Sequence, residues 1–151
     1  MAQFTTYEEE NIHYWTNRTP GYSAVNQEEL AGDQKTVWRG VISGRIAAHL
    51  PEKRPEEIRV LDVGTGPGFF AILLAELGYQ VTAVDYTASM LDEARRNAGA
   101  LASRICFRQM NAEDLSFSAA SFDVLVTRNV TWNLHNPEKA YAQWTWVLKS
   151  G

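Results

Sequence analysis

The sequence has a single cysteine, Cys106, in 151 residues. One thiol excludes an internal disulfide framework and any metal site built from several cysteines, and no metal is expected. Its neighbours, Ile105 and Phe107, are apolar, so Cys106 is expected as a small buried hydrophobe. Basic charge is scarce too: 14 Lys and Arg against 18 Asp and Glu leave a net charge of −4. With no cationic surplus there is little counterion release to gain on a phosphate backbone, which argues against a large nucleic-acid footprint. No run reaches the ~20 apolar residues that cross a bilayer, and the first thirty residues lack an apolar signal core. No membrane partner is expected, and a cytoplasmic location follows by default. Internal repeats and low-complexity segments are absent as well.

What is present suits one globular domain with a real core: 45% of residues are apolar and 21% charged. Two textures divide the chain. Residues 1–57 are polar and aromatic-rich and read as a helical cap or lid. They include a helix over 34–50, with Val37, Val41, Ile46 and Leu50 on its stripe and Trp38 and Ile42 beside it. Asp33 is the expected N-cap of that helix, and Pro51 and Pro55 bracket the charged connector that ends it.

Residues 58–151 alternate strand with helix. Ile58–Val63 is a short apolar strand running into glycines. Phe69–Leu77 is apolar almost all round, as a helix buried on a sheet would be, and Gly78 stops it. Gln80–Asp85 reads as a second strand. Thr87 is placed to cap a helix reaching about Asn97, with Met90, Leu91 and Ala94 on its inner face. Strands are expected over 104–110 and 122–127, and Pro137 suits the first turn of a last helix ending near Leu148. Such alternation implies an α/β fold with a doubly wound parallel sheet and helices on both faces.

The chemistry concentrates in Leu61-Asp62-Val63-Gly64-Thr65-Gly66-Pro67-Gly68-Phe69-Phe70, where the first strand meets the first helix of this unit. Gly64 and Gly66 allow a tight turn and close approach of a ligand. The junction lies at the carboxyl end of the sheet, where open α/β folds bind ligands. A dinucleotide fingerprint, G-x-G-x-x-G, needs a third glycine where this chain has Phe69. Asp62, two residues before Gly64, would repel a pyrophosphate and would attract a cation. Asp85, 21 residues after Gly64, is placed to accept the hydroxyl protons of a ribose.

LDVGTGPGFF resembles the first motif of class I S-adenosyl-L-methionine-dependent methyltransferases, and VTAVDYTASML resembles their second. QMNAEDLSF and SFDVLVTRN are similar to the third and fourth strand ends in order and spacing, and PEKAYAQWTWVLKSG to the segment that turns into the fifth strand. The likeness spans roughly residues 58–151 and is nearest to the small-molecule methyltransferases of the ubiquinone and menaquinone biosynthesis type. It implies a Rossmann-like sheet in the order 3-2-1-4 and S-adenosyl-L-methionine as cofactor. Asp62, Gly64, Thr65, Gly66 and Gly68 would hold the methionine part and Asp85 the ribose. Tyr86 and Met90 would line the adenine face, Met90 serving equally as helix core, and Ala112 and Glu113 would meet the adenine edge. Asn111 stands where the family often has aspartate. Arg128 and Asn129 would face the reacting centre.

The acceptor is harder to read. Tyr14, Trp15, Arg18 and Tyr22 would wall its pocket from one side and residues 129–135 from the other. His135, Arg128 and Tyr22 are the candidate catalytic groups, although methyl transfer needs no advertised base. A small-molecule methyl acceptor is the expected partner. The family fold adds a fifth strand and a two-stranded hairpin after the segment that ends here. The expectation is therefore a truncated sheet with an open fourth-strand edge, open to self-association. The rival readings are a nicotinamide-dependent oxidoreductase and a domain that binds cofactor or a partner without turnover.

Overall fold

Hydrophobic period decides most of the elements in the computed structural model, which describes Glu28 and residues 32–128 and 134–149. In chain order these are α1 (Asp33–His49), β1 (Arg59–Val63), α2 (Phe69–Glu76), β2 (Gln80–Asp85), α3 (Ala88–Ala98), β3 (Ile105–Gln109), β4 (Val124–Thr127) and α4 (Pro137–Val147). All pairings are parallel and the order is β3-β2-β1-β4. The register sets Asp62 beside Ala83 and Val126, and Asp85 beside Gln109. Both acids therefore lie toward the carboxyl ends of the strands, as the sequence indicated.

Two buried clusters lie on opposite faces. One joins Val60, Val81, Ala83 and Ile105 to α2 and to Ile42 and Ile46 of α1. The other joins Leu61, Val63 and Val84 to Phe122, Ala140, Trp144 and Val147. Every residue of α2 from Phe69 to Ala75 is buried, so its all-apolar composition matches its place. Truncating a fully buried leucine there, Leu73 or Leu74, costs about 2–5 kcal/mol.

Several local expectations are corrected. The N-cap of α1 is Gly32, and Asp33 lies inside the first turn, where its charge favours the positive helix end without a capping bond. Val37 and Val41 are exposed at 59% and 43%, while Trp38, Ile42 and Ile46 face the core. At 100° per residue Trp38, Ile42 and Ile46 fall within one narrow arc, and Val37 lies half a turn from Ile46. Thr87 does sit at the N-cap of α3, but its hydroxyl makes no cap bond. Pro137 opens α4 as expected, with Asn136 accepting the Lys139 amide at 3.2 Å.

Cys106 is exposed, contrary to expectation. It pairs in register with Thr82 on the sheet face whose cluster under α4 reaches β1, β4 and Val84 of β2 but takes in no residue of β3. The β3–β4 connection has no helix to shield the rest. At the other edge, Phe122 precedes β4 and forms a parallel bridge with Leu148, and the Lys149 amide donates to the Phe122 carbonyl at 2.9 Å. No helix among the described residues is long and apolar enough to cross a membrane.

Candidate functional site

Gly64, Gly66 and Gly68 all have positive φ, at 72°, 55° and 96°. Gly68 is required twice over: a Cβ there would lie 3.0 Å from the Ala94 Cβ and 3.2 Å from its Cα. Gly66 is different, since a Cβ there would meet open space, and its glycine keeps that side of the turn bare. The turn spends its own donors. Gly64 and Thr65 amides bond the Val84 carbonyl at 2.9 and 3.0 Å, the Gly68 amide bonds the Thr65 carbonyl at 3.0 Å, and the Gly66 amide bonds Asp85 Oδ2 at 2.8 Å. Pro67 has none to give. A turn in this state is not arranged to donate to a pyrophosphate, and it suits a ligand that brings its own donors.

Asp62 is 2% exposed, and its Oδ2 has no hydrogen-bond partner among the described residues. Burial pushes its carboxyl up to about 7; the Thr65 hydroxyl and Ala71 amide oppose the rise, and the Asp85 charge adds to it. Thr87 Oγ1 is likewise buried without a partner among the described residues. An orphaned buried carboxylate oxygen beside a bare glycine turn fits a cationic amine. Asp85 is raised to about 6, chiefly by burial, while the Thr87, Gly66 and Tyr86 amides pull it down. Its Oδ1 accepts the Thr87 amide at 2.9 Å and its Oδ2 the Gly66 amide. The sequence placed a candidate ribose acceptor here. It did not show that the same carboxylate ties the glycine turn to the start of α3.

The other candidates fall into groups. Tyr86, partly buried, follows β2, and its carbonyl accepts Gln109 Nε2 at 3.1 Å. Met90 is 3% exposed on the inner face of α3. Ala112 and Glu113 lie after β3 and are locked to α4: the Trp144 indole donates to the Ala112 carbonyl at 3.0 Å, and Glu113 Oε1 accepts the Asn136 amide. Asn111 Oδ1 accepts the Glu113 amide at 2.9 Å, so it shapes this loop without a charge. The Arg128 guanidinium, just past β4, sits 5.2 Å from the Phe69 ring, 5.8 Å from Phe70 and 5.9 Å from Trp38. It thus joins α1 and the start of α2 to the carboxyl end of the sheet. His135 is exposed, one residue before the N-cap of α4. Tyr14, Trp15, Arg18, Tyr22 and residues 129–133 lie outside the described residues.

A parallel 3-2-1-4 sheet with a glycine turn and two acids at its carboxyl end defines a Rossmann-like α/β domain. Comparison with known proteins places it further. The model of the methyltransferase domain family matches residues 61–151. The chain is 39% identical over 108 residues to a demethylmenaquinone methyltransferase of Deinococcus radiodurans, covering 70% of this chain and 42% of that protein. It is 40% identical over 75 residues to a ubiquinone biosynthesis O-methyltransferase of Methylocella silvestris, covering 50% of this chain and 29% of that protein. The solved S-adenosylmethionine-dependent methyltransferase of Mesorhizobium loti superposes with a TM-score of 0.57 at 20% identity, over 70% of this chain and 48% of that one. The chain belongs to the methyltransferase domain family and has the Rossmann-like fold of its class I, S-adenosyl-L-methionine-dependent members. It spans less than half the length of each of these relatives.

Proposed function

We propose that the carboxyl end of this sheet seats S-adenosyl-L-methionine for methyl transfer to a small-molecule acceptor. The reading rests above all on Asp62, a buried carboxylate with an unpartnered oxygen beside a glycine turn whose amides are already engaged. Asp62 and the 64–68 turn receive the α-ammonium end of the cofactor, and Asp85 accepts from its ribose. Tyr86, Met90, Ala112 and Glu113 border the adenine. Residues 58–151 are the cofactor core and residues 1–57 the cap on the acceptor side, with Trp38 on Arg128 among their contacts.

When bound, the cofactor supplies a methyl group on a sulfonium that is already an activated leaving group. What remains for the chain is placement and exclusion of water. Arg128 and the aromatic rings around it suit that task, and His135 is the available base for an acceptor whose proton must leave. Calorimetry with S-adenosylhomocysteine and with NADH tests the reading: binding of the first and not the second is expected, and the reverse would replace it with the oxidoreductase reading. A screen of quinol, phenol and amine acceptors with methyl-labelled cofactor, run on the full-length protein, then identifies the acceptor class.

A further inference from the structure

Helix α3 is fastened to the glycine turn near both of its ends. Near its start, Asp85 bonds the Thr87 amide with one oxygen and the Gly66 amide with the other. In its last turn, Asn97 Nδ2 donates to the Pro67 carbonyl at 3.0 Å, 30 residues back in sequence. Between these two bonds Ala94 meets Gly68 so closely that no Cβ fits at position 68. Ala94 and Asn97 are three residues apart and share one face of α3. Pro67 lacks an N–H, so its carbonyl is the backbone group through which position 67 itself can be held.

We propose that Asn97 is a positioning residue for the cofactor seat: by holding the Pro67 carbonyl it fixes the orientation of the Gly66–Gly68 backbone toward the ligand. The inference rests on the turn being that seat. Asn97 does not touch the ligand; it acts through the turn. A side-chain amide is suited to this because it donates without charge in a partly buried place. Aspartate would have the same shape, yet its ionised form turns an acceptor toward an acceptor.

The test is calorimetric titration of S-adenosylhomocysteine into wild type, Asn97→Ala and Asn97→Asp across a pH series, with thermal unfolding of each ligand-free protein. Asn97→Ala should weaken binding about tenfold, one hydrogen bond's worth, with unfolding temperature little moved. Asn97→Asp should weaken it more at alkaline pH. Relative to wild type, its deficit should shrink as the introduced carboxyl takes up a proton and regains a donor for Pro67. Filling space on α3 would not produce that pH-dependent rescue. If both variants fold and bind like wild type, or if the deficit of Asn97→Asp does not vary with pH, the assignment is wrong. Should Asn97→Ala unfold, Asn97→Asp at acid pH, with its donor restored, must still bind nearly as wild type does. A wild-type chain that binds no S-adenosylhomocysteine removes the cofactor reading itself, and with it the task given to Asn97.

Discussion

The Asp85 carboxylate accepts the Gly66 amide at 2.8 Å, across 19 residues of sequence, and so joins the two motifs of the proposed cofactor seat directly. One side chain thereby holds the turn in place and, on the proposed reading, also accepts from a ribose. Asp85→Ala removes both and should cost about 2–3 kcal/mol of S-adenosylhomocysteine affinity, roughly 30- to 150-fold, as lost charge-assisted hydrogen bonds do. Calorimetry reads it. Unchanged affinity would remove Asp85 from the site.

A second expectation concerns pH. Burial lifts Asp62 to about 7 and Asp85 to about 6, from ordinary values near 3.8. The ligand-free fold therefore holds protons that the unfolded chain has released. The stability these two groups contribute is full below about pH 4 and is lost as pH rises through about 6 and then about 7. A cationic ligand has the opposite requirement, because it needs the carboxylates ionised. The rise in melting temperature produced by S-adenosylhomocysteine should thus be larger near pH 8 than near pH 5.5, and Asp62→Asn should flatten the difference. A ligand-induced shift that is the same at both pH values in wild type would show that Asp62 does not meet the ammonium.

Asp123 carries the reverse dependence at the far end of the sheet. Its carboxylate side chain, 3% exposed, accepts the Arg59 amide at 2.9 Å and Lys53 Nζ at 2.7 Å, with Lys149 Nζ at 3.4 Å. Burial alone would raise it, but the Arg59 amide and the two lysines outweigh that and hold it below the usual carboxylate value. Its stabilisation is present above about pH 4 and fades as pH falls through the lowered value. Asp123→Asn should cost about 2 kcal/mol near neutral pH and much less in acid, measured by urea unfolding. Equal loss at both pH values would mean that packing, rather than charge, is what Asp123 supplies.

The strand order was legible because alternation and the motif order both point to it, and both acids were legible because they lie at or next to the ends of their strands. What escaped was whatever depends on the partner of a side chain rather than on its type. Trp38, Ile42 and Ile46 form the buried stripe of α1, and two exposed valines beside them blurred its phase. The bond from Asn97 to Pro67 and the indole of Trp144 on the Ala112 carbonyl join segments about 30 residues apart, which no local pattern announces. Cys106 was misjudged because an apolar neighbourhood in sequence says nothing about whether a helix covers that part of the sheet. Its exposure has a simple consequence: the native protein should react with a thiol reagent at a rate close to that of a free thiol, and Cys106→Ser should move stability by less than about 0.5 kcal/mol. Reaction only on unfolding would return it to the core.

The glycine turn offers the sharpest contrast within a few residues. Gly66 and Gly68 both have positive φ, so alanine at either is strained by about 1–2 kcal/mol. Only at Gly68 is there also an obstacle, the Ala94 Cβ at 3.0 Å and its Cα at 3.2 Å, while position 66 opens on empty space. Overpacking adds about 1–3 kcal/mol, so Gly68→Ala should destabilise the fold clearly more than Gly66→Ala, whose effect should fall mainly on ligand affinity. Ala94→Gly costs about 1 kcal/mol by itself as a helix-interior glycine, yet it removes the nearer of the two clashing atoms. Combined with Gly68→Ala it should therefore lose less stability than the sum of the two single changes, a coupling that urea unfolding of the four proteins in the cycle measures. Strict additivity would show that Gly68 is there for its backbone angle alone, and that α3 does not set how closely the turn can be held.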